Sequence, residues 1–275
     1  PNTMVRLRSP SWSPCLAASM LTASLNAPRA RTICATATGA SAVASALGDV
    51  QARVAAATET AGRPEPPRLV AVSKTKPNEL LQEVYDAGQR AFGENYVQEL
   101  VEKAPALPAD IEWHFIGKLQ SNKCKMLVQG VPNLRVLETL DSEKLANKLQ
   151  TAVVNSTRDT PLGVMIQVNT SPWEGTKNGI LPEDVPAVAQ HLARACPNLE
   201  LLGLMTIGAP GEASCFETLR SCRDALADEL GLPPGRLALS MGMSGDFEEA
   251  IVAGSDSVRV GSSIFGARDY PAKKA

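Results

Sequence analysis

Apolar residues along this chain alternate between two spacings, one typical of amphipathic helices and one typical of buried strands. Over 41–60 they recur every three to four residues, which predicts a helix. A continuous, β-branched apolar run over 69–75 predicts a buried strand, which Pro77 ends. Helical spacing returns over 78–88. The chain therefore starts a strand–helix alternation near residue 69.

This alternation continues to about residue 260. Further strands are predicted over 91–94, 112–117, 134–138, 162–168, 199–207, 237–241 and 257–260. Helices are predicted over 96–103, 122–129, 142–155, 183–195, 212–230 and 246–253, with Asn78 and Asp141 as helix caps. Eight strands, each followed by a helix or helical turn, favour an α/β fold that closes into a (β/α)8 TIM barrel. The barrel is expected over 41–270 as a single domain, with 271–275 as a short tail.

A doubly wound open sheet is the alternative fold. Such a sheet normally carries a glycine-rich nucleotide fingerprint after its first strand, and Val72-Ser73-Lys74-Thr75 does not match it. The count of strands and this mismatch favour the barrel.

Composition narrows the function classes. The chain has 275 residues, of which 44% are hydrophobic, enough for one large core. The net charge of −2 gives no basic field for nucleic acid. No apolar stretch is long enough to span a membrane. The 6 cysteines include no CxxC pair and there are only 2 histidines, so no metal site is expected.

The first 48 residues contain no Asp, Glu or Lys, but carry four arginines among many Ser, Thr and Ala residues. Such a leader resembles an organellar transit peptide, for a chloroplast or a mitochondrion. The alternative is a disordered extension without a targeting role, in which case the protein would be cytoplasmic. Either way, residues 1–40 are expected to lie outside the fold.

In a barrel of this type, functional groups lie where strands end and βα loops begin. The polar residues at these ends are Lys74, Glu94, Asn95, His114, Glu138, Asn169, Thr206, Ser240, Arg259, Ser262 and Ser263. Lys74 would be partly removed from water there, which lowers an amine's pKa and favours attack on an aldehyde to form a Schiff base. A lysine that has simply entered solvent is the alternative.

Gly261, Ser262 and Ser263 follow the eighth strand directly. Backbone N–H groups and hydroxyls at this position predict a phosphate site, because the loops after strands 7 and 8 often bind phosphate in this fold. Ser240, at the end of strand 7, would add a hydroxyl. A tight turn with serine caps is the alternative. With Lys74 placed across the mouth of the barrel, the two groups would hold opposite ends of one molecule.

Seven segments carry a family resemblance: AVSKTKP (71–77), FGENYVQE (92–99), WHFIG (113–117), LQSNK (119–123), GLMTI (203–207), LSMGMSGD (239–246) and VRVG (258–261). Together they resemble the pyridoxal phosphate homeostasis protein family, the single-domain relative of the alanine racemase barrel. The resemblance covers about residues 45–270. The segment 169–179 departs from the family pattern, because Pro172-Trp173 intrudes in it.

The resemblance implies that the cofactor is pyridoxal 5′-phosphate (PLP). The residues implied to bind it are Lys74, Asn95, Ser240, Arg259, Gly261 and Ser262. Lys74 would form the Schiff base, the serines and glycine would hold the phosphate, Arg259 would lie beside the pyridine nitrogen, and Asn95 near the ring. A guanidinium cannot accept a proton, so that nitrogen would stay unprotonated and withdraw electrons less strongly.

Two functions are compatible with these residues. The first is a carrier that buffers PLP in vitamin B6 homeostasis and delivers it to PLP-dependent apoenzymes. The second is a PLP-dependent racemase-like enzyme, which needs acid–base groups on both faces of the cofactor. In the racemase relatives a separate β domain supplies one of these groups and the dimer contact. This sequence is expected to lack that domain, which favours a monomeric carrier without catalytic residues. A barrel that binds another phosphorylated metabolite non-covalently is a third alternative.

Overall fold

The structure is a computed structural model that describes residues 41–173 and 178–267. The predicted leader over 1–40, the tail over 271–275 and part of the 169–179 loop lie outside these residues. The transit-peptide interpretation therefore stays a prediction. No helix within the two described ranges is long and apolar enough to cross a membrane.

Eight parallel strands form a closed barrel in the order of the sequence, which confirms the predicted fold. The strands are β1 (Arg68–Val72), β2 (Ala91–Glu94), β3 (Glu112–Phe115), β4 (Leu134–Leu140), β5 (Leu162–Gln167), β6 (Leu199–Met205), β7 (Ala238–Met243) and β8 (Ser257–Val260). The helices are α1 (Ala42–Thr60), α2 (Asn78–Asp86), α3 (Val97–Lys103), α4 (Cys124–Gly130), α5 (Glu143–Val154), α6 (Val185–Ala195), α7 (Ser214–Leu230), α8 (Phe247–Val252) and α9 (Ser262–Phe265).

The first strand is shorter than predicted, because a turn replaces its end. β1 stops at Val72, and the Lys76 N–H donates to the Ser73 carbonyl at 3.1 Å. Thr75 lies inside this turn with φ of 62°, in the left-handed region. Glycine usually occupies such a position, and a β-branched residue there is strained. Lys74 therefore sits in a tight turn after the strand and not on the strand itself.

Two predicted helix caps are wrong. Pro77 holds the N-cap position of α2, and Asn78 is the first helical residue. Ser142, not Asp141, caps α5, since its hydroxyl accepts from the Leu145 N–H at 3.3 Å. The short helix α9 after β8 was not predicted.

The main hydrophobic core lies between the strands and the surrounding helices. Its largest buried side chains include Trp113, Phe92 and Phe115. α1 packs against α8 and α9 and so covers the junction at which β8 meets β1. Packing of these layers holds the strand ends, and the loops that follow them, in fixed positions.

Candidate functional site

A cavity of about 260 Å³ lies where the strands end. It is lined by Val72, Lys74, Lys76, Asn95, Ile116, Ile207, Met243, Ser244, Gly245, Arg259, Gly261, Ser262, Phe265 and Gly266. Five of the six predicted binding residues are in this set, and Ser240 is not. The volume is close to the lower end of the roughly 300–1,000 Å³ typical of small-molecule sites. The cavity therefore suits one small ligand.

Lys74 and the Gly261 turn are neighbours at the mouth of the barrel. β1 pairs with β8 in parallel, with Ala71 opposite Val260, so both segments follow adjacent strand ends. The expectation that Lys74 lies across the mouth from this turn is therefore wrong: closure of the barrel makes the first and last strands adjacent. A Cβ on Gly261 would lie 3.1 Å from the Val72 carbonyl oxygen, so glycine permits this close approach.

Arg259 lies on β8 and is almost fully buried, with 4% of its surface exposed. Its guanidinium donates to the Ser240 hydroxyl at 2.5 Å and to the Thr206 carbonyl at 2.7 Å. Burial lowers the pKa of Arg259, and the nearby carboxylates of Glu138 and Asp246 oppose that shift. These contacts fix the orientation of a cation that also lines the cavity.

Glu138 supplies the negative charge that balances Arg259 inside the barrel. Its carboxylate accepts from the Ser240 hydroxyl at 2.6 Å, lies 2.6 Å from His114 Nδ1 and is 3.9 Å from the Arg259 guanidinium. Because β4 and β7 are not neighbours, the bond from Glu138 to Ser240 crosses the barrel interior. Burial alone would raise the pKa of Glu138. The His114 contact, the Arg259 charge and the Ser240 hydrogen bond outweigh burial and hold this pKa below its usual range.

Ser240 thus occupies a place between two charged groups. It is fully buried, donates to Glu138 and accepts from Arg259. The predicted role of Ser240 in phosphate binding stays a prediction, and its described partners are protein side chains.

Asn95 lines the cavity from the end of β2. Its Oδ1 atom is buried and has no hydrogen-bond partner among the described residues. A Cβ at Gly117 would lie 2.0 Å from the Asn95 carbonyl oxygen, so only glycine at 117 lets Asn95 keep this position. An unsatisfied buried acceptor beside a cavity is a candidate ligand contact.

Sequence reasoning missed several lining residues. Ser244 lies beside Gly261, whose N–H donates to the Ser244 hydroxyl at 3.1 Å. Lys76 is buried and donates to the Ala267 carbonyl at 2.5 Å, which holds the segment after α9 near the mouth. Both residues stand in the segments that carry the family resemblance, but nothing in their spacing marks them as lining a cavity.

The chain matches one family model and several curated proteins. Residues 46–269 match the family model of the alanine racemase N-terminal domain. The pyridoxal phosphate homeostasis protein of Mus musculus is 50% identical over 220 residues, which cover 76% of this chain and 80% of the mouse protein. The protein of the same name from Schizosaccharomyces pombe is 49% identical over 209 residues, covering 73% of this chain and 84% of the yeast protein.

Solved structures agree with this assignment. PipY of Synechococcus elongatus, solved with PLP bound, is 31% identical with a TM-score of 0.68, covering 82% of this chain and 100% of PipY. An alanine racemase from Corynebacterium glutamicum is 19% identical with a TM-score of 0.58, covering 82% of this chain and 60% of the racemase. The second likeness shows a shared fold alone.

The first prediction concerns the buried carboxylate. Glu138→Gln removes the charge that His114, Ser240 and Arg259 contact, and we expect it to lower the free energy of unfolding at pH 7 by about 2–4 kcal/mol. The folded-state pKa of Glu138 is lowered, so its stabilisation is present above the unfolded value of about 4.3 and is lost as the pH falls through the folded value. Urea denaturation at a series of pH values should show the wild-type advantage shrinking in acid.

Glu102→Gln is the matched control, because Glu102 is an exposed carboxylate on α3. Its stability should differ from the wild type by no more than about 0.5 kcal/mol at any pH. A wild-type advantage over Glu138→Gln that stays constant or grows below about pH 4 would contradict the assigned charge state.

Proposed function

The chain belongs to the pyridoxal phosphate homeostasis protein family, and from that premise we propose that it binds PLP through a Schiff base at Lys74 and buffers and delivers this cofactor in vitamin B6 homeostasis. The observation that carries the proposal is one cavity that joins a primary amine, a buried guanidinium and a Gly-Ser turn.

The lining residues fit PLP chemically. PLP carries an aldehyde, a phosphate and a pyridine ring, and the cavity offers Lys74 for the aldehyde and the Gly261–Ser262 turn for the phosphate. The buried Asn95 Oδ1, without a partner in the described chain, remains available to a polar group of the ligand. Ile116 and Ile207 form an apolar part of the cavity wall, which suits the pyridine ring. Each part of the cofactor therefore has a matching group.

When bound, PLP supplies an aldehyde that condenses with a primary amine, releasing water and leaving a C=N bond. Lys74 provides that amine from a turn fixed between β1 and α2. Arg259 has no lone pair that could accept a proton, so it favours an unprotonated pyridine nitrogen wherever it contacts the ring. An unprotonated ring stabilises carbanions less well than a protonated one.

The cavity lining favours the carrier over the racemase-like enzyme. Racemisation needs a group that can exchange a proton on each face of the cofactor. In the described part of the chain, the ionisable side chains that line the cavity are Lys74, Lys76 and Arg259, without a tyrosine, histidine or carboxylate. Tyr96 is 54% exposed and is not among the lining residues.

Three further parts of the proposal rest on the sequence. They are a monomeric state, PLP-dependent apoenzymes as recipients, and a chloroplast or mitochondrial location directed by the arginine-bearing leader.

Lys74→Ala tests the covalent link. Adding PLP to the wild type should produce the visible absorbance band of a Schiff base, and Lys74→Ala should remove that band because the amine is gone. Lys118→Ala is the matched control, since Lys118 is exposed and does not line the cavity. It should keep the band. A band of equal strength in Lys74→Ala would place the link on another lysine and refute the proposal.

Ser262→Ala tests the phosphate contact. Loss of one hydrogen bond should weaken PLP binding about three- to tenfold, while binding of pyridoxal, which has no phosphate, should not change. Spectroscopic titration with both aldehydes measures the two constants. If Ser262→Ala weakened the binding of PLP and of pyridoxal equally, Ser262 would not contact the phosphate and this part of the proposal would be refuted.

Ser240→Ala in the same assay distinguishes two roles for Ser240. If Ser240 contacts the phosphate, only the binding of PLP is weakened. If Ser240 supports Arg259 instead, the binding of both aldehydes is weakened.

A turnover assay distinguishes the carrier from the racemase-like enzyme. Holo protein incubated with L-amino acids should form no D-amino acid, because the described lining has no tyrosine, histidine or carboxylate beside Lys74, and Lys76 is bonded to the Ala267 carbonyl. Chiral chromatography measures the D-amino acid, and Lys74→Ala gives the background rate. Sustained formation of the D-amino acid above that background would favour the racemase-like enzyme.

A further inference from the structure

A buried ionic cluster lies directly behind the turn that carries Lys74. We call it the Lys103 cluster, and it consists of Lys103, Glu94, Glu99 and Ser73. Lys103 ends α3, and 6% of its surface is exposed. Its ammonium group donates to Glu94 at 2.7 Å, to Glu99 at 2.5 Å and to the Ser73 carbonyl at 2.9 Å. These three bonds use all three protons of the ammonium group.

Two bonds of this cluster reach the backbone on either side of Lys74. On one side, Lys103 holds the Ser73 carbonyl, which also closes the turn by accepting from the Lys76 N–H. On the other side, Glu99 accepts from the Thr75 N–H at 2.6 Å. The two peptide units that flank Lys74 are therefore both bound to one rigid group of charges.

The turn needs such support because its conformation is strained. Among the described residues, Thr75 is the non-glycine residue with a positive φ, at 62°. A β-branched residue in the left-handed region is strained, and it stays there only where its surroundings enforce it. The bond from Thr75 to Glu99, with Lys103 fixing Glu99, provides that enforcement.

The inner side of the turn is held as well. The Ser73 hydroxyl donates to Glu94 at 2.7 Å, and both residues are fully buried. Glu94 ends β2, the strand that pairs with β1. The cluster thus joins the Lys74 turn to β2 and α3.

We propose that Lys103 and Glu99 are positioning residues for Lys74: they hold the strained turn in the conformation that presents the Lys74 amine to the cavity. This proposal rests on the proposed function, because a positioned amine matters only if PLP attaches to it. Neither residue lines the cavity, so both act through the backbone of Lys74 and its neighbours.

Glu99→Ala tests this role. It frees the Thr75 N–H and removes one partner of Lys103, while Glu94 still balances the lysine. In the protein without cofactor, amide hydrogen exchange of a peptide that covers 73–76 should become about tenfold faster. With PLP, the equilibrium constant for Schiff base formation, measured by absorbance, should fall by about tenfold.

Glu102→Ala is the matched control, because Glu102 lies on the same helix, is exposed and bonds to Gln98. It removes the same charge and should leave both measurements within about twofold of the wild type. The free energy of unfolding of each variant separates a general loss of stability from a local effect on the turn.

A double variant distinguishes positioning from simple stabilisation. Glycine adopts a positive φ without strain, so in a Thr75→Gly background the loss caused by Glu99→Ala should shrink to about twofold or less. If Glu99→Ala does not fold, Glu99→Gln replaces it: it keeps an acceptor for the Thr75 N–H but removes the charge facing Lys103, and a Schiff base constant lowered at least about threefold is expected.

These experiments distinguish a failure of the proposed function from a failure of the positioning role. A wild type that forms no Schiff base refutes the proposed function, and the positioning role with it. A wild type that forms one, together with Glu99 variants whose Schiff base constant and exchange at 73–76 are unchanged, refutes the positioning role alone. An equal loss in the Thr75→Gly background also refutes it.

Discussion

The site depends on the pairing of the first strand with the last. β1 and β8 run in parallel, with Leu69 opposite Val258 and Ala71 opposite Val260. This pairing brings the Lys74 turn beside the Gly261–Ser262 turn, although the two segments lie near opposite ends of the folded sequence. Glycine at 261 lets the second turn approach the Val72 carbonyl closely. An amine and a Gly-Ser turn therefore share one cavity only when the barrel is closed.

The barrel interior contains charged side chains, although a fully apolar interior would avoid the free-energy cost of burying them. Glu138 and Arg259 are both buried, and His114 and Ser240 connect them to two other strands, β3 and β7. Burying such groups costs several kcal/mol per ion unless each is paired and hydrogen-bonded. Glu138 and Arg259 meet that condition, and their bonds fix the position of Arg259 beside the cavity. The same reasoning applies to Lys103, whose charge is buried behind the Lys74 turn and fully bonded. The Lys74 turn and Arg259 each lie against a buried, hydrogen-bonded ionic group.

The sequence was sufficient for the eight strands and for the helices between them, because apolar spacing and the strand–helix alternation are local signals. It was also sufficient for five of the lining residues, since functional groups of a barrel follow the strand ends. It was not sufficient for the turn at 73–76, because threonine is not a residue that signals a left-handed conformation. Nor could it find the bond from Ser240 to Glu138, which depends on the side of each strand that faces inward. The register is irregular in the β3–β4, β4–β5 and β7–β8 pairs, so inward-facing and outward-facing residues do not simply alternate along these strands.

Reductive trapping tests the central claim most directly. The native protein is mixed with PLP, reduced with borohydride and digested, and the peptides are mapped by mass spectrometry, with a parallel sample unfolded in urea before PLP is added. A closed barrel that presents one amine to the cavity predicts a pyridoxyl group mainly on the peptide containing Lys74 in the native sample, and no preference for that peptide in the unfolded one. Equal labelling of several lysines in the native protein, or preferential labelling of Lys74 that survives unfolding, would contradict the account.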